Sequence, residues 1–158
     1  MTRALSAALL LLFLLTGCSQ GNTRQTTVQF TEAGVKVTID VSKELVKVTF
    51  HPTRPRFHIY SLDLPLDGID GLGVPTRLAT RAGLTATGKP SSDRQTIFLA
   101  TQGGARLPVY PDGPVTISLP VRRVGELGEV IVSYGACSRT TCLAPVTDRV
   151  TKIPLHAG

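Results

Sequence analysis

The sequence predicts an all-β sandwich. Three observations carry this expectation. Apolar and polar residues alternate with period 2 in several short segments, Gly/Pro-rich breaks separate them, and no window sustains a helical period with caps. Val35, Val37, Ile39 and Val41 alternate with Lys36, Thr38 and Asp40, the pattern of a half-buried strand. Val46, Val48 and Phe50 repeat it against Lys47 and Thr49. The short Ser42-Lys43-Glu44 connection makes the two a hairpin. Arg56 to Ser61 is a further strand candidate, with Phe57 and Ile59 on one face and His58 and Tyr60 on the other. Leu62 to Pro75 carries Gly68, Gly71, Gly73 and Pro65 and is expected as a loop. Arg77 to Leu84 and Thr96 to Thr101 are expected strands, with polar breaks at Gly88–Asp93 and Pro108–Pro114. Val115–Leu119, Val130–Tyr134 and Val150–Leu155 complete the set.

The composition fits one such domain. The chain has 158 residues, 42% of them hydrophobic and 18% charged, which is too apolar for a disordered chain. With aromatic residues at 5% and no Trp, stacking platforms for single-stranded nucleic acid are not expected. The net charge of +6 comes from basic residues scattered along the chain, only Arg122 and Arg123 being adjacent, so it reads as a solvated basic surface and nucleic acid is not expected as a partner. No Ser-His-Asp arrangement, paired-carboxylate signal or phosphate-binding Gly-rich loop stands out; the Gly68–Gly73 stretch lacks the lysine of a P-loop.

The first residues have their own logic. Arg3 precedes an apolar run from Ala7 to Leu15, shorter than the about 20 residues a membrane-spanning helix needs, so residues 1–17 are expected to be an export signal. Leu15-Thr16-Gly17-Cys18 resembles the lipobox of bacterial lipoproteins. The resemblance implies cleavage before Cys18 and lipidation of its sulfur, holding the protein on a bacterial membrane facing the periplasm or the cell exterior. Lipid chains contribute about 0.8 kcal/mol per buried CH₂ to such an anchor. Residues 18–26 are then a polar tether, and residues 27–158 the domain.

Of the three cysteines, lipidation takes Cys18 and leaves Cys137 and Cys142 as a pair, which an exported protein can oxidise. Four residues separate them, between two expected strands, so paired strands would bring them face to face. Closing so small a ring contributes only about 2 kcal/mol by loop entropy, a weak reason for a structural bond. The loop residues Ser138, Arg139, Thr140 and Thr141 suggest solvent access, and Arg139 favours a thiolate at Cys137. An incoming thiolate can attack such a disulfide and the second Cys can resolve the mixed species. Spacing alone leaves the redox and structural readings equally open. Metal binding is not expected, because the spacing is not CxxC and no clustered His completes four ligands.

The stretch VIVSYGACSRTTCLAP, followed by VTDRVTKIPL, resembles the N-terminal periplasmic domain of the DsbD family of thiol:disulfide interchange proteins. Phe57-His58-Ile59-Tyr60-Ser61 and Gly73-Val74-Pro75-Thr76-Arg77 resemble a second segment of that family. The resemblance spans about Thr27 to Leu155 and is strongest in the C-terminal third. It implies an immunoglobulin-like sandwich that carries electrons between a membrane-associated reductant and protein thiols, needing no organic cofactor. It implies Cys142 as the attacked and attacking sulfur and Cys137 as the resolving one. The implied partners are a thioredoxin-like or membrane-embedded thiol-disulfide oxidoreductase, here as separate proteins. Two departures stand out: one proline, Pro145, follows the second Cys, and no acidic-aromatic cap segment is evident, Gly83–Arg94 and Gly103–Gly113 being the candidates, with Tyr110 their one aromatic.

Tyr134, Arg139 and Pro145 are candidate supports of the cysteine loop, although a strand Tyr such as Tyr134 more commonly faces the core. His58 is expected as a satisfied strand residue, and His51 and His156 as surface residues. The rival to a redox carrier is a non-enzymatic interaction module whose disulfide only ties a loop.

Overall fold

The structure is a computed structural model that describes residues 25–155. The expected signal, Cys18, all but the last two residues of the expected tether, and His156 lie outside the described residues. The described chain forms eleven strands and no helix: β1 (Thr26–Glu32), β2 (Val35–Val41), β3 (Leu45–Pro52), β4 (His58–Ile59), β5 (Arg77–Ala86), β6 (Ser91–Ser92), β7 (Ile97–Ala100), β8 (Arg106–Val109), β9 (Val115–Tyr134), β10 (Ala136–Cys137) and β11 (Val146–Pro154).

The β2–β3 hairpin forms as its alternation predicts, with Val35 opposite Pro52 and Val41 opposite Val46. Ser42 N–H donates to Leu45 O (2.9 Å) and closes the turn. Every apolar residue of the β2 alternation is buried, as are Val46, Val48 and Phe50 of β3.

Four expectations need correction. Thr26, expected at the end of the tether, begins β1, which pairs along the whole of β2. Its inward residues Val28 and Phe30 are only half-buried at the sheet's edge, so the strand carries little apolar signal. The separate strands at Val115–Leu119 and Val130–Tyr134 are one strand of 20 residues. The first part of β9 pairs with β3 and β6, and its last part with β5 and β11. It therefore passes from one layer to the other, and Arg122 to Leu127, between the layers, need not be apolar. Arg56–Ser61 shrinks to the two-residue β4, because Arg56 takes φ +63° and leaves the extended region at the start of the segment. The expected break at Pro108–Pro114 hides β8, which pairs with β7 from Ile97–Val109 to Ala100–Arg106.

The layers β1-β2-β3-β9 and β5-β9-β11 enclose the main core, where Ile39, Val48, Phe50, Ile117, Val130, Val132 and Tyr134 meet. A second, smaller core gathers Tyr60, Leu64, Leu99, Ala105, Leu107 and Val109 around Cys137. It lies beneath the β7–β8 hairpin and the expected 62–75 loop. Arg77 ties that loop down by donating to the carbonyls of Leu62 (3.0 Å) and Leu64 (3.4 Å).

Candidate functional site

β9 delivers the chain through Gly135 to β10, where Ala136 pairs with Ile59 and Cys137 with His58 of β4. Beyond Cys137 the chain turns back at once. Ser138 N–H donates to Thr141 O (2.8 Å), and Ser138 Oγ accepts from the backbone N–H of Thr141 (3.0 Å) and Thr140 (3.3 Å). The serine hydroxyl thus supplies acceptors that a free turn would take from water. Leu143 N–H then donates to Ala136 O (2.9 Å), closing the loop around a Cys137–Cys142 disulfide with Cα atoms 4.1 Å apart.

The two sulfurs live in different surroundings. Cys137 is 0% exposed within the second core. Cys142 is exposed. An attacking thiolate needs access, so the geometry admits it at Cys142 and leaves Cys137 as the leaving sulfur. Tyr60 Oη lies 2.6 Å from Cys137 Sγ and 3.4 Å from Cys142 Sγ. A disulfide has no proton to give, so the phenol donates. Burial pushes the Tyr60 pKa up to about 12, which keeps that proton in place.

Tyr60 is itself held rigidly. Its N–H donates to Gly135 O (3.1 Å), and its carbonyl accepts from Thr76 Oγ1 (2.5 Å). A Cβ on Gly135 would meet one edge of its ring at 3.0 Å, and a Cβ on Gly73 would meet the other at 3.0 Å. The ring fits because both neighbours lack a side chain.

The structure brings together Cys137, Cys142 and Arg139 of the expected residues, but not Tyr134. Tyr134 does not support the loop and takes the core-facing place expected of a strand tyrosine: its ring packs at a tilt against Phe50 in the main core, centroids 5.1 Å apart, and its hydroxyl donates to Glu32 O (3.4 Å). The tyrosine at the sulfurs is Tyr60, which sequence reasoning placed only on a strand face and inside the family-like Phe57–Ser61 segment. Arg139 is exposed on the loop, its carbonyl accepting from Gln102 N–H (3.2 Å). Pro145 is exposed beyond the loop, and it is Leu143 that packs against the core there. His58 lies opposite Cys137 in register, with Nδ1 3.0 Å from Tyr110 O and Nε2 3.4 Å from Asp112 Oδ1.

Of the two cap candidates, Gly83–Arg94 runs through β6 against Ser118 and Ile117, at the far end of β9 from the cysteines. The β7–β8 hairpin does reach the cysteine loop, through Gln102 at its tip, but Tyr110 is buried and accepts from Leu62 N–H (3.1 Å) instead of covering the sulfurs. Beside the loop runs an open groove of about 720 Å³, walled by Ser138–Thr141 on one side and Arg54–His58 on the other. No group of three or more His, Cys, Asp or Glu able to hold a metal ion occurs among the described residues.

Fold and site together define an immunoglobulin-like β-sandwich carrying a loop disulfide between one buried and one exposed cysteine. Among solved structures, the chain is similar to the N-terminal domain of DsbD from Neisseria meningitidis in its reduced form, with 19% identity, a TM-score of 0.54, and coverage of 77% of this chain and 85% of that one. The chain therefore has the fold of a DsbD N-terminal domain. No protein-family model and no curated protein match it.

Proposed function

We propose that this protein carries electrons by thiol–disulfide exchange through Cys137 and Cys142, on the outer side of a bacterial membrane to which a lipidated Cys18 anchors it. Its partners are thioredoxin-like or membrane-embedded thiol-disulfide oxidoreductases, and it works without an organic cofactor. The observation that carries this reading is the asymmetry of the disulfide, with Cys142 open to solvent and Cys137 buried against the Tyr60 hydroxyl.

The exchange balances as follows. A partner thiolate attacks Cys142 Sγ, the S–S bond breaks, and Cys137 leaves as a thiolate that receives the Tyr60 hydrogen bond. The partner's second thiolate then attacks its own sulfur in the mixed disulfide and releases Cys142. Two electrons have passed from the partner dithiol, which becomes a disulfide, to Cys137 and Cys142, and the two protons that the partner thiols lost to solvent on ionising are matched by the two that these thiolates take up from it. In the other direction the Cys142 thiolate attacks a partner disulfide and Cys137 resolves it.

The test is the reduction potential of the pair, in the full chain carrying Cys18→Ser, equilibrated against glutathione and dithiothreitol and trapped by alkylation. A value of about −120 to −270 mV, the range of known exchangers, is expected. A value below about −300 mV with slow reduction sinks the proposal in favour of a structural staple in an interaction module.

A further inference from the structure

The groove beside the exposed sulfur has a sign. Arg54 and Arg56 rise from the β3–β4 connection on one wall, and Arg139 stands on the cysteine loop that forms the other. None of the three guanidinium groups has an ion-pair partner among the described residues. Arg54 instead lies 6.0 Å from the centre of the Phe57 ring, a cation–π contact that leaves its N–H groups free for an acceptor. Asp112, the carboxylate held by His58 at 3.4 Å, does not line this groove; it lines the adjoining depression on the far side of the Arg54–Phe57 wall, where it forms no ion pair with Arg54 or Arg56. The Arg56 backbone adopts φ +63°, a conformation that a side chain of this size seldom takes. The cluster therefore concentrates positive charge along an open trough whose wall ends at Thr141, the residue before Cys142.

We propose that this trough docks an acidic, extended segment of the dithiol partner, lying between Arg54, Arg56 and Arg139 so that the partner's thiolate is presented to Cys142. The inference rests on the redox reading above. The occupant follows from charge complementarity and shape. The trough is bounded by the cysteine loop itself as far as Thr141, so a polypeptide running through it is carried to the residue next to Cys142. Three unpaired cations steer acidic chains and raise their local concentration. They also stabilise the approaching thiolate over its thiol, which is the form that reacts.

The test uses three synthetic dithiol peptides with the same Cys pair, flanked by Glu, Gln or Lys, reducing the full chain carrying Cys18→Ser. Each rate is divided by that of the neutral dithiol dithiothreitol on the same variant, so that a general change in the disulfide cancels. At low salt the Glu-flanked peptide is expected to be about tenfold faster than the Lys-flanked one, and the preference is expected to vanish near 1 M salt, where the Debye length is about 3 Å. Arg54→Glu with Arg56→Glu should reverse the preference, and the milder Arg54→Gln with Arg56→Gln should abolish it.

Equal rates for the three peptides, or a Glu preference that survives charge reversal, overturn the proposal. A redox-inert Glu-flanked peptide with Ser in place of Cys, followed by fluorescence anisotropy, separates this from the redox reading. If the disulfide resists every dithiol, the redox reading falls, and loss of anisotropy binding on charge reversal still supports an acidic ligand in the trough. If charge reversal weakens binding to phosphatidylglycerol vesicles but leaves peptide binding untouched, the trough serves the membrane and the proposal is overturned.

Discussion

Tyr60 connects the chemistry of the sulfurs to the backbone around them. Its phenol donates weakly to a disulfide sulfur but strongly to a thiolate, because a hydrogen bond to a charged acceptor is about twice as strong as one between neutral groups. It therefore favours the reduced protein. Tyr60→Phe should make the potential more negative by about 20 mV, corresponding to about 1 kcal/mol in a two-electron couple, and should raise the Cys137 thiol pKa; redox titration and pH-dependent alkylation check both. Gly135→Ala should reproduce the same shift by another route. The new methyl would press on the ring at 3.0 Å, and the ring has no retreat because the Gly73 side is just as close. Overpacking of this kind costs about 1–3 kcal/mol, so the variant should also unfold at lower denaturant. An unchanged potential in both variants would reduce Tyr60 to a packing residue. Residue-scale legibility was uneven. The cysteine pair and its exposed loop were visible as a spacing between strands. Tyr60 was not, because 77 positions of chain separate it from Cys137 and only the β4–β10 pairing brings them together.

At the scale of elements, the sequence was most informative where one face of a strand is fully buried and the other wet. Val35–Val41 and Val46–Phe50 satisfy that condition, and their hairpin forms in the expected register. It was least informative where burial changes along the strand. β1 lies at an edge, β8 carries Pro108, and β9 leaves one layer before entering the other, so the period-2 signal fades in all three. The crossing of β9 depends on a close backbone approach. β5 breaks register between Ala82 and Leu84, and a Cβ on Gly83 would sit 2.6 Å from the Leu127 carbonyl oxygen. Backbone cannot rotate away as a side chain can. Gly83→Ala should therefore lower stability by about 2 kcal/mol or more in urea unfolding, while leaving the Cys137–Cys142 potential where it was. A stability within about 0.5 kcal/mol of the parent chain would show that β9 can shift at this crossing without loss.

For the molecule as a whole, the two cores share one vulnerability, a tyrosine hydroxyl buried in each. Tyr60 sits in the core around Cys137 and Tyr134 in the main core, and both pKa values are pushed from 10.0 up to about 12. Burial is the cause at Tyr60. At Tyr134 burial acts first, the Glu32 carboxylate adds to it, and Arg149 opposes it. That Tyr134 would face the core was legible in its strand, but that Tyr60 would be buried in a second core was not, since that burial comes from the packing of the β7–β8 hairpin and the 62–75 loop. The consequence is a stability that depends on alkaline pH with a definite sign. Below pH 10 the tyrosines are protonated in the folded and unfolded chains alike, and the contribution is intact. Between pH 10.0 and about 12 the unfolded chain releases protons that the folded chain retains, so stability falls as pH rises, and it is lost as the folded values are passed. Solvent screening at these partly buried hydroxyls keeps the free energy coupled to that interval well below the full value of the shifts. Urea midpoints of the oxidised protein measured from pH 9 to 12 should fall steeply above pH 10. Tyr60→Phe, starting from a lower stability, should fall less steeply, with the difference from the parent narrowing across the interval. Parallel curves for the two proteins would mean that Tyr60 ionises within the folded state at its ordinary pKa, and that the hydroxyl beside the disulfide is wetter than its burial implies.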